Sequence, residues 1–316
     1  MGINDKPLIG ISSCLLGQEV RYDGGHKHNR YITQTLGEHF EFVSWCPEIA
    51  IGLPVPRPPI RLVDDGDGIR VRGVDNPAED YTARLTGYGK AVAQEMDRLS
   101  GYILKKDSPS CGMERVKVYR GTRVEKDGQG AFAREIMSTH PNLPFEEEGR
   151  LMDPGLRENF IERVFAFHRW QTMVAVGLSA SSLVDFHTRH KFFLLAHDET
   201  TYRRLGRLVA EAGRGDLESL AAEYLSQFMA GLRHLATPRK HVNVLMHIMG
   251  FFKAHLDAGD KAELLEVIDA HRRGEVPVIV PITLINHHLR KYPSEYVKGQ
   301  VYLEPHPREL KLRSHI

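Results

Sequence analysis

The feature that most limits what this chain can fold into is a change of hydrophobic period at Asp153-Pro154-Gly155. Before it, short apolar runs alternate with helical stretches. After it, every apolar pattern repeats at three and four residues, the period of a helix with one buried face. The first part reads as strands over residues 8–11, 40–44, 101–104 and 115–119, with helices over 29–36, 81–99 and 131–137. Residues 115–119 alternate Val116 and Val118 with charged neighbours, as a strand with one wet face does. Strands interleaved with helices specify an α/β domain, Rossmann-like, on an open and mostly parallel sheet. The second part reads as helices over 157–176, 181–197, 200–211, 217–235, 237–253, 261–273 and 282–291. Thr237-Pro238 is the sharpest start, with Thr at the N-cap and Pro at the first helical position. The expected organisation is an α/β domain over residues 1–153 and an all-α domain over 154–316.

Charge divides at the same place. Residues 1–153 carry 20 Lys+Arg against 23 Asp+Glu, and the remainder carries 22 against 18 with 13 of the 17 histidines. A basic, His-rich half hints at an anionic partner. No apolar run reaches the roughly 20 residues of a membrane-spanning helix. Residues 1–5 hold no basic-then-apolar leader. A cytoplasmic protein with no membrane partner is expected.

The chain has three cysteines, Cys14, Cys46 and Cys111. An odd, small number in a reducing compartment argues against disulfides. Each follows a predicted strand, in Ser12-Ser13-Cys14-Leu15-Leu16-Gly17, Trp45-Cys46-Pro47-Glu48 and Asp107-Ser108-Pro109-Ser110-Cys111-Gly112. The carboxyl ends of parallel strands line one edge of a sheet, where ligands bind, so the three thiols are expected to meet. Cysteines packed as small hydrophobes are the alternative. Structural zinc prefers four ligands with close Cys-x-x-Cys pairs, which do not occur here, whereas soft thiolates also suit iron–sulfur clusters. A cubane cluster normally takes four cysteines. Three would leave one iron open as a Lewis acid for a substrate atom. Glu48, two residues after Cys46, is a candidate proton carrier, or else a solvated loop carboxylate. Ser108 and Ser110 are candidates for holding substrate, against ordinary turn chemistry. Arg21, Tyr22 and Asp23 would border the pocket, or simply form a turn.

These three motifs, together with Arg21-Tyr22-Asp23-Gly24, Gly52-Leu53-Pro54 and Pro56-Arg57, closely resemble the thiouracil desulfidase family over about residues 5–150. Phe186-His187-Thr188-Arg189-His190-Lys191, Asn243-Val244-Leu245-Met246-His247-Ile248 and Thr283-Leu284-Ile285-Asn286-His287-His288 resemble a helical domain often fused to it, found in tRNA 4-thiouridine desulfidases. The resemblance implies a [4Fe-4S] cluster on Cys14, Cys46 and Cys111 with one open iron. It also implies that Glu48 and Ser108 are the catalytic pair. The reaction it implies is a non-redox hydrolysis of 4-thiouridine in tRNA to uridine and hydrosulfide. At Ile60-Arg61 the chain departs from the Ala-Glu pair of many relatives. A desulfidase of free thiolated bases such as 2-thiouracil, and a metal-bearing RNA-binding protein without catalysis, stay open as alternatives.

For a tRNA substrate the candidate contacts are Arg189, His190 and Lys191, then Arg239, Lys240 and His241, then Arg290 and Lys291. Each cluster is otherwise a solvated helix face. His187 and His190, at i and i+3, would also suit a metal, though packing or RNA contact is the stronger reading.

Overall fold

The computed structural model describes residues 6–315, so the reading of residues 1–5 as free of a leader lies outside the described residues. The chain divides into two compact units, Met1–Asp153 and Pro154–Ile316. The first holds, in chain order, β1 (Leu8–Ser12), β2 (Glu41–Trp45), α1 (Pro47–Ala50), β3 (Ile60–Asp64), β4 (Ile69–Gly73), α2 (Thr82–Ala93), β5 (Gly101–Leu104), β6 (Val116–Arg120), β7 (Arg123–Gly128), α3 (Ala131–Thr139) and β8 (Phe145–Glu147).

These strands make two four-stranded sheets where the sequence suggests one. The first sheet, ordered β2-β1-β5-β8, is parallel throughout. Four successive residues of β1, Ile9 to Ser12, are buried, as in a strand covered on both faces. From β1 the path moves to one side for β2 and returns to the other for β5. That reversal opens a crevice beyond the carboxyl ends of these strands. Gly10 is required here, because a Cβ would lie 2.2 Å from the Tyr102 ring. Tyr102 in turn stacks on Trp45 at 5.9 Å and on Phe145 at 6.0 Å.

The second sheet, ordered β4-β3-β6-β7, joins two antiparallel pairs through a parallel β3–β6 pair. It takes up the 115–119 strand, so that strand does not extend the parallel sheet. The segments β3, β4 and β7 carry Arg, Lys, Asp or Glu at much of their length, which hides them from a hydrophobic pattern. The expected 29–36 helix is a single π turn at Tyr31–Thr35 running into a 3-10 turn, Leu36–Glu38.

The second unit holds α4 (Pro154–Gly177), α5 (Ala180–His197), α6 (Glu199–Ala210), α7 (Leu217–Leu232), α8 (Pro238–Gly250), α9 (Ala258–Arg272), α10 (Ile279–Lys291) and the short α11 (Glu295–Lys298). The proline at the break is itself the first residue of α4, where its missing N–H costs nothing. Side chains of Ser179, Asp198, Asp216, Thr237 and Asp257 accept the backbone N–H groups that α5 through α9 would otherwise leave unpaired. Trp170, Phe186, Tyr224 and Phe228 form the aromatic centre of the core. Among the described residues, no helix is long and apolar enough to cross a membrane.

Candidate active site

The loops after β1, β2 and β5 leave three adjacent strands, and they bring Cys14, Cys46 and Cys111 to the wall of one cavity of about 380 Å³. Burial pushes the Cys14 thiol up to about 11, against the pull of Lys105. Burial also raises Cys46. Cys111 is pushed well above its ordinary value by burial, with Glu48 adding to it. Each thiol by itself keeps its proton. A thiophilic metal that replaces the proton reverses this preference.

Among the described residues, no three His, Cys, Asp or Glu side chains close on one point as a single ion requires. Thiols set on three separate strand ends suit a polynuclear cluster, in which each thiolate takes its own iron. Three soft donors with no fourth cysteine in the chain fit a cluster that keeps one iron free of protein sulfur.

The Cys111 loop is held tightly. Ser108 Oγ accepts the backbone N–H groups of Ser110 at 3.2 Å and of Cys111 at 3.0 Å. The first turn of α3 donates its otherwise unpaired N–H groups to the same loop, Ala131 to Pro109 O at 3.0 Å and Phe132 to Ser110 O at 3.1 Å. Gly130 permits this approach, since a Cβ there would lie 2.4 Å from Ser110 O.

Glu48 sits in the first turn of α1, directly after Cys46 and Pro47. Its Oε2 accepts from Arg57 Nε at 3.1 Å and Nη2 at 2.6 Å, and its Oε1 accepts from Ser110 Oγ at 2.7 Å. Arg57 also donates to Pro54 O and Val20 O, tying the proline-rich run to the segment after Cys14.

Several expectations need correction. Ser110 has no exposed surface and is not part of the cavity wall, because its hydroxyl is spent on Glu48. Asp23 turns outward, bonding Gly25 N and Arg21, so it does not face the cavity, whereas Arg21 and Tyr22 do. Ser108 lines the cavity and already accepts two N–H groups, which leaves its own O–H for a ligand. Of the departing pair, Ile60 lines the rim while Arg61 lies over the Tyr119 ring at 4.7 Å.

Sequence reasoning gave no role to Arg57, Lys105, Glu147 or Glu148. Glu148 accepts from Lys105 Nζ at 2.5 Å and from Lys106 N at 2.8 Å, while Glu147 accepts from Met113 N at 2.8 Å. The acidic run thus braces both ends of the Cys111 loop. Glu146, Glu147 and Glu148 are all buried.

In the helical unit the candidate RNA contacts separate. His190 and His241 are interior residues, not surface ones: His190 stacks on Phe186 at 3.9 Å, and His241 Nδ1 lies 3.0 Å from the Tyr302 hydroxyl. His187 is likewise buried, against Tyr224. Lys240 is engaged, donating to His197 O at 2.6 Å and Leu235 O at 3.0 Å. Lys191 lies over the Tyr296 ring at 4.8 Å, and Lys291 Nζ is 3.9 Å from Asp260. Arg189, Arg239 and Arg290 are exposed.

Residues 9–148 match the family described as 2-thiouracil desulfurase, and residues 191–307 match DUF1722, a family of unknown function. The uncharacterized protein YbgA of Escherichia coli (strain K12) is 38% identical over 152 residues, covering 48% of this chain and 90% of YbgA. The uncharacterized protein YbbK of Bacillus subtilis (strain 168) is 34% identical over 152 residues, covering 46% of this chain and 99% of YbbK. The solved structure of a [4Fe-4S]-dependent thiouracil desulfidase, TudS, is 29% identical with a TM-score of 0.39, over 47% of this chain and 94% of that one. The chain belongs to the 2-thiouracil desulfurase family, as a desulfidase whose second unit is a DUF1722 domain.

Proposed function

We propose that this desulfidase acts on 4-thiouridine in tRNA, exchanging C=S for C=O with water and releasing hydrosulfide without net redox change. The observation that supports it most is the meeting of three thiols on one cavity wall beside a carboxylate gripped from both sides. A [4Fe-4S] cluster held by Cys14, Cys46 and Cys111 would supply a thiophilic Lewis acid for the substrate sulfur. Glu48 takes one proton from the water that attacks the ring carbon and returns it to the departing sulfur as the carbon–sulfur bond breaks, while the second water proton passes to solvent as C=O forms. Arg57 and Ser110 hold that carboxylate in one orientation before substrate arrives, so little ordering remains to be done during reaction. The free O–H of Ser108 points the base, and Trp45 and Tyr22 offer ring faces for it. The exposed Arg189, Arg239 and Arg290 offer charge to RNA phosphates. Three unpaired cysteines suit the reducing cytoplasm.

The test is anaerobic incubation of reconstituted protein with 4-thiouridine-containing tRNA, following thiocarbonyl absorbance and released sulfide. Sulfide is expected from the tRNA, and Glu48→Gln should lower kcat by about 10²–10⁴ with iron and acid-labile sulfide unchanged. Full activity in Glu48→Gln with an intact cluster would overturn the assignment. Turnover confined to free 2-thiouracil would assign the free base instead. Bound zinc without acid-labile sulfide would assign a non-catalytic RNA-binding protein.

A further inference from the structure

A second cavity, of about 250 Å³, lies in the helical unit between one face of α10 and the segment 303–314. Ile279, Ile282, Thr283, Asn286 and Arg290 share that face at helical spacing, and Leu303 and Leu312 close the floor from the other side. The floor is therefore aliphatic and the rim polar. At roughly 30 Å³ per water, the space equals about eight waters, enough for one planar ring system.

Two features of the wall call for a ligand. His306, only 8% exposed, lines the cavity, and its Nε2 has no hydrogen-bond partner among the described residues. Its Nδ1 lies 3.0 Å from Pro307 O. A carbonyl only accepts, so Nδ1 carries the proton and Nε2 presents a bare lone pair. Burial favours this neutral form. The second feature is charge. Arg308 is paired with Glu304 and Arg313 with Glu162, but among the described residues nothing pairs with Arg290 or Lys311 on the rim. An apolar slot with a buried acceptor and two unpaired cations matches a flat heterocycle that has N–H groups on its edge and a phosphate attached.

We propose that this cavity is a nucleotide site, with the base on the Ile282–Leu312 floor, an edge N–H donated to His306 Nε2, and the phosphate between Arg290 and Lys311. It deepens the RNA reading above, on which it rests, by giving the partner a docking point in the helical unit. The nucleotide is a splayed residue of an RNA chain or a free mononucleotide, and the experiment separates the two.

Binding of an unthiolated tRNA transcript to the full chain is measured by fluorescence anisotropy across a salt series, so failure to desulfurate has no bearing on the result. Arg290→Gln/Lys311→Gln should weaken binding about tenfold at 0.1 M salt and reduce the slope of log K against log salt by about 1–2. Thr283→Trp, at the exposed mouth, should weaken binding without changing that slope. Both variants are checked against wild type by thermal melting. The ¹⁵N resonance of His306 Nε2 in the unmodified protein should shift on titration. A shift with adenosine or uridine monophosphate assigns free nucleotides, and one seen only with RNA assigns a residue within the chain. Unchanged affinity in both variants, an unmoved His306 resonance, or a shift that inorganic phosphate reproduces fully would overturn the proposal.

Discussion

Glu48 depends on two side chains that arrive from elsewhere, Arg57 nine residues on and Ser110 sixty-two residues on. The ion pair is nearly dry, with side-chain exposures of 3% for Arg57 and 15% for Glu48. Truncating one partner of a buried pair leaves the other charge uncompensated, at a cost of about 3–5 kcal/mol. Arg57→Ala is accordingly expected to lower the melting temperature and kcat together. Arg57→Lys should recover part of the stability and less of the rate, because an ammonium cannot reproduce the two-pronged grip. Equal rates for Arg57→Lys and wild type would show that orientation of Glu48 is not what Arg57 provides. Gly130 is the other position where one atom decides. An added methyl would press on Ser110 O, so Gly130→Ala should displace the Cys111 loop and reduce iron bound per chain after anaerobic reconstitution. Iron content equal to wild type would show that the loop tolerates the shift. At this scale the shared address of the cysteines, with Glu48 two residues after Cys46, was legible because each lies in the segment that follows a strand. Arg57 and Ser110 were not, since nothing local in the chain says which carboxylate a distant donor will meet.

The helices were the most legible elements. Their caps are local, and Thr237 Oγ1 accepts the Lys240 N–H as the Thr-Pro pair foretells. The second sheet was the least legible. β7 is exposed over five of its six residues, so no buried face marks its sequence. A buried ion cluster also escaped notice, joining α4 to the segment around Arg313. Arg313 Nη2 lies 2.8 Å from Glu162 Oε1, and its Nε lies 3.7 Å from Glu158 Oε1. Burial pushes Glu158 up to about 8. Burial acts on Glu162 as well, but Arg313 and His197 outweigh it and draw its carboxyl below the usual range. Arg313→Met should destabilise the helical unit by about 3–5 kcal/mol, through the stranded carboxylates. Adding Glu162→Gln to Arg313→Met should restore part of that loss, which a double-mutant cycle in urea would read. Strict additivity of the two changes would contradict the coupling.

Over the whole molecule, histidine is concentrated in the helical unit, yet much of it is packed away from water. His187, His190, His241 and His306 are buried, and burial holds each below its ordinary value, His187 at about 4. The unfolded chain takes up these protons below about pH 6.5 while the fold refuses them. Their contribution to stability is complete above that pH and is lost as pH falls toward the folded values. Glu158 acts the other way, adding stability as pH falls from about 8 toward its unfolded value. The clean measurement is therefore a difference between variants. His190 lies near Arg169, Arg189 and His187, all of which oppose its charging alongside burial. Replacing it as His190→Phe should flatten the fall in stability between pH 6 and 5 by up to about 1.4 kcal/mol per pH unit. Parallel curves for the two proteins would mean that His190 is protonated in the fold.

The sequence alone determined where the chain divides, where the long helices lie, and that three thiols follow strand ends. These depend on apolar period, caps and strand boundaries, all set by neighbours within a few residues. Tertiary structure alone decided the number of sheets, the burial of Glu146 to Glu148 and of much of the histidine, and the grip of Arg57 and Ser110 on Glu48. A polar side chain looks the same in sequence whether it faces water or a partner. Only the fold brings that partner within a hydrogen bond's reach.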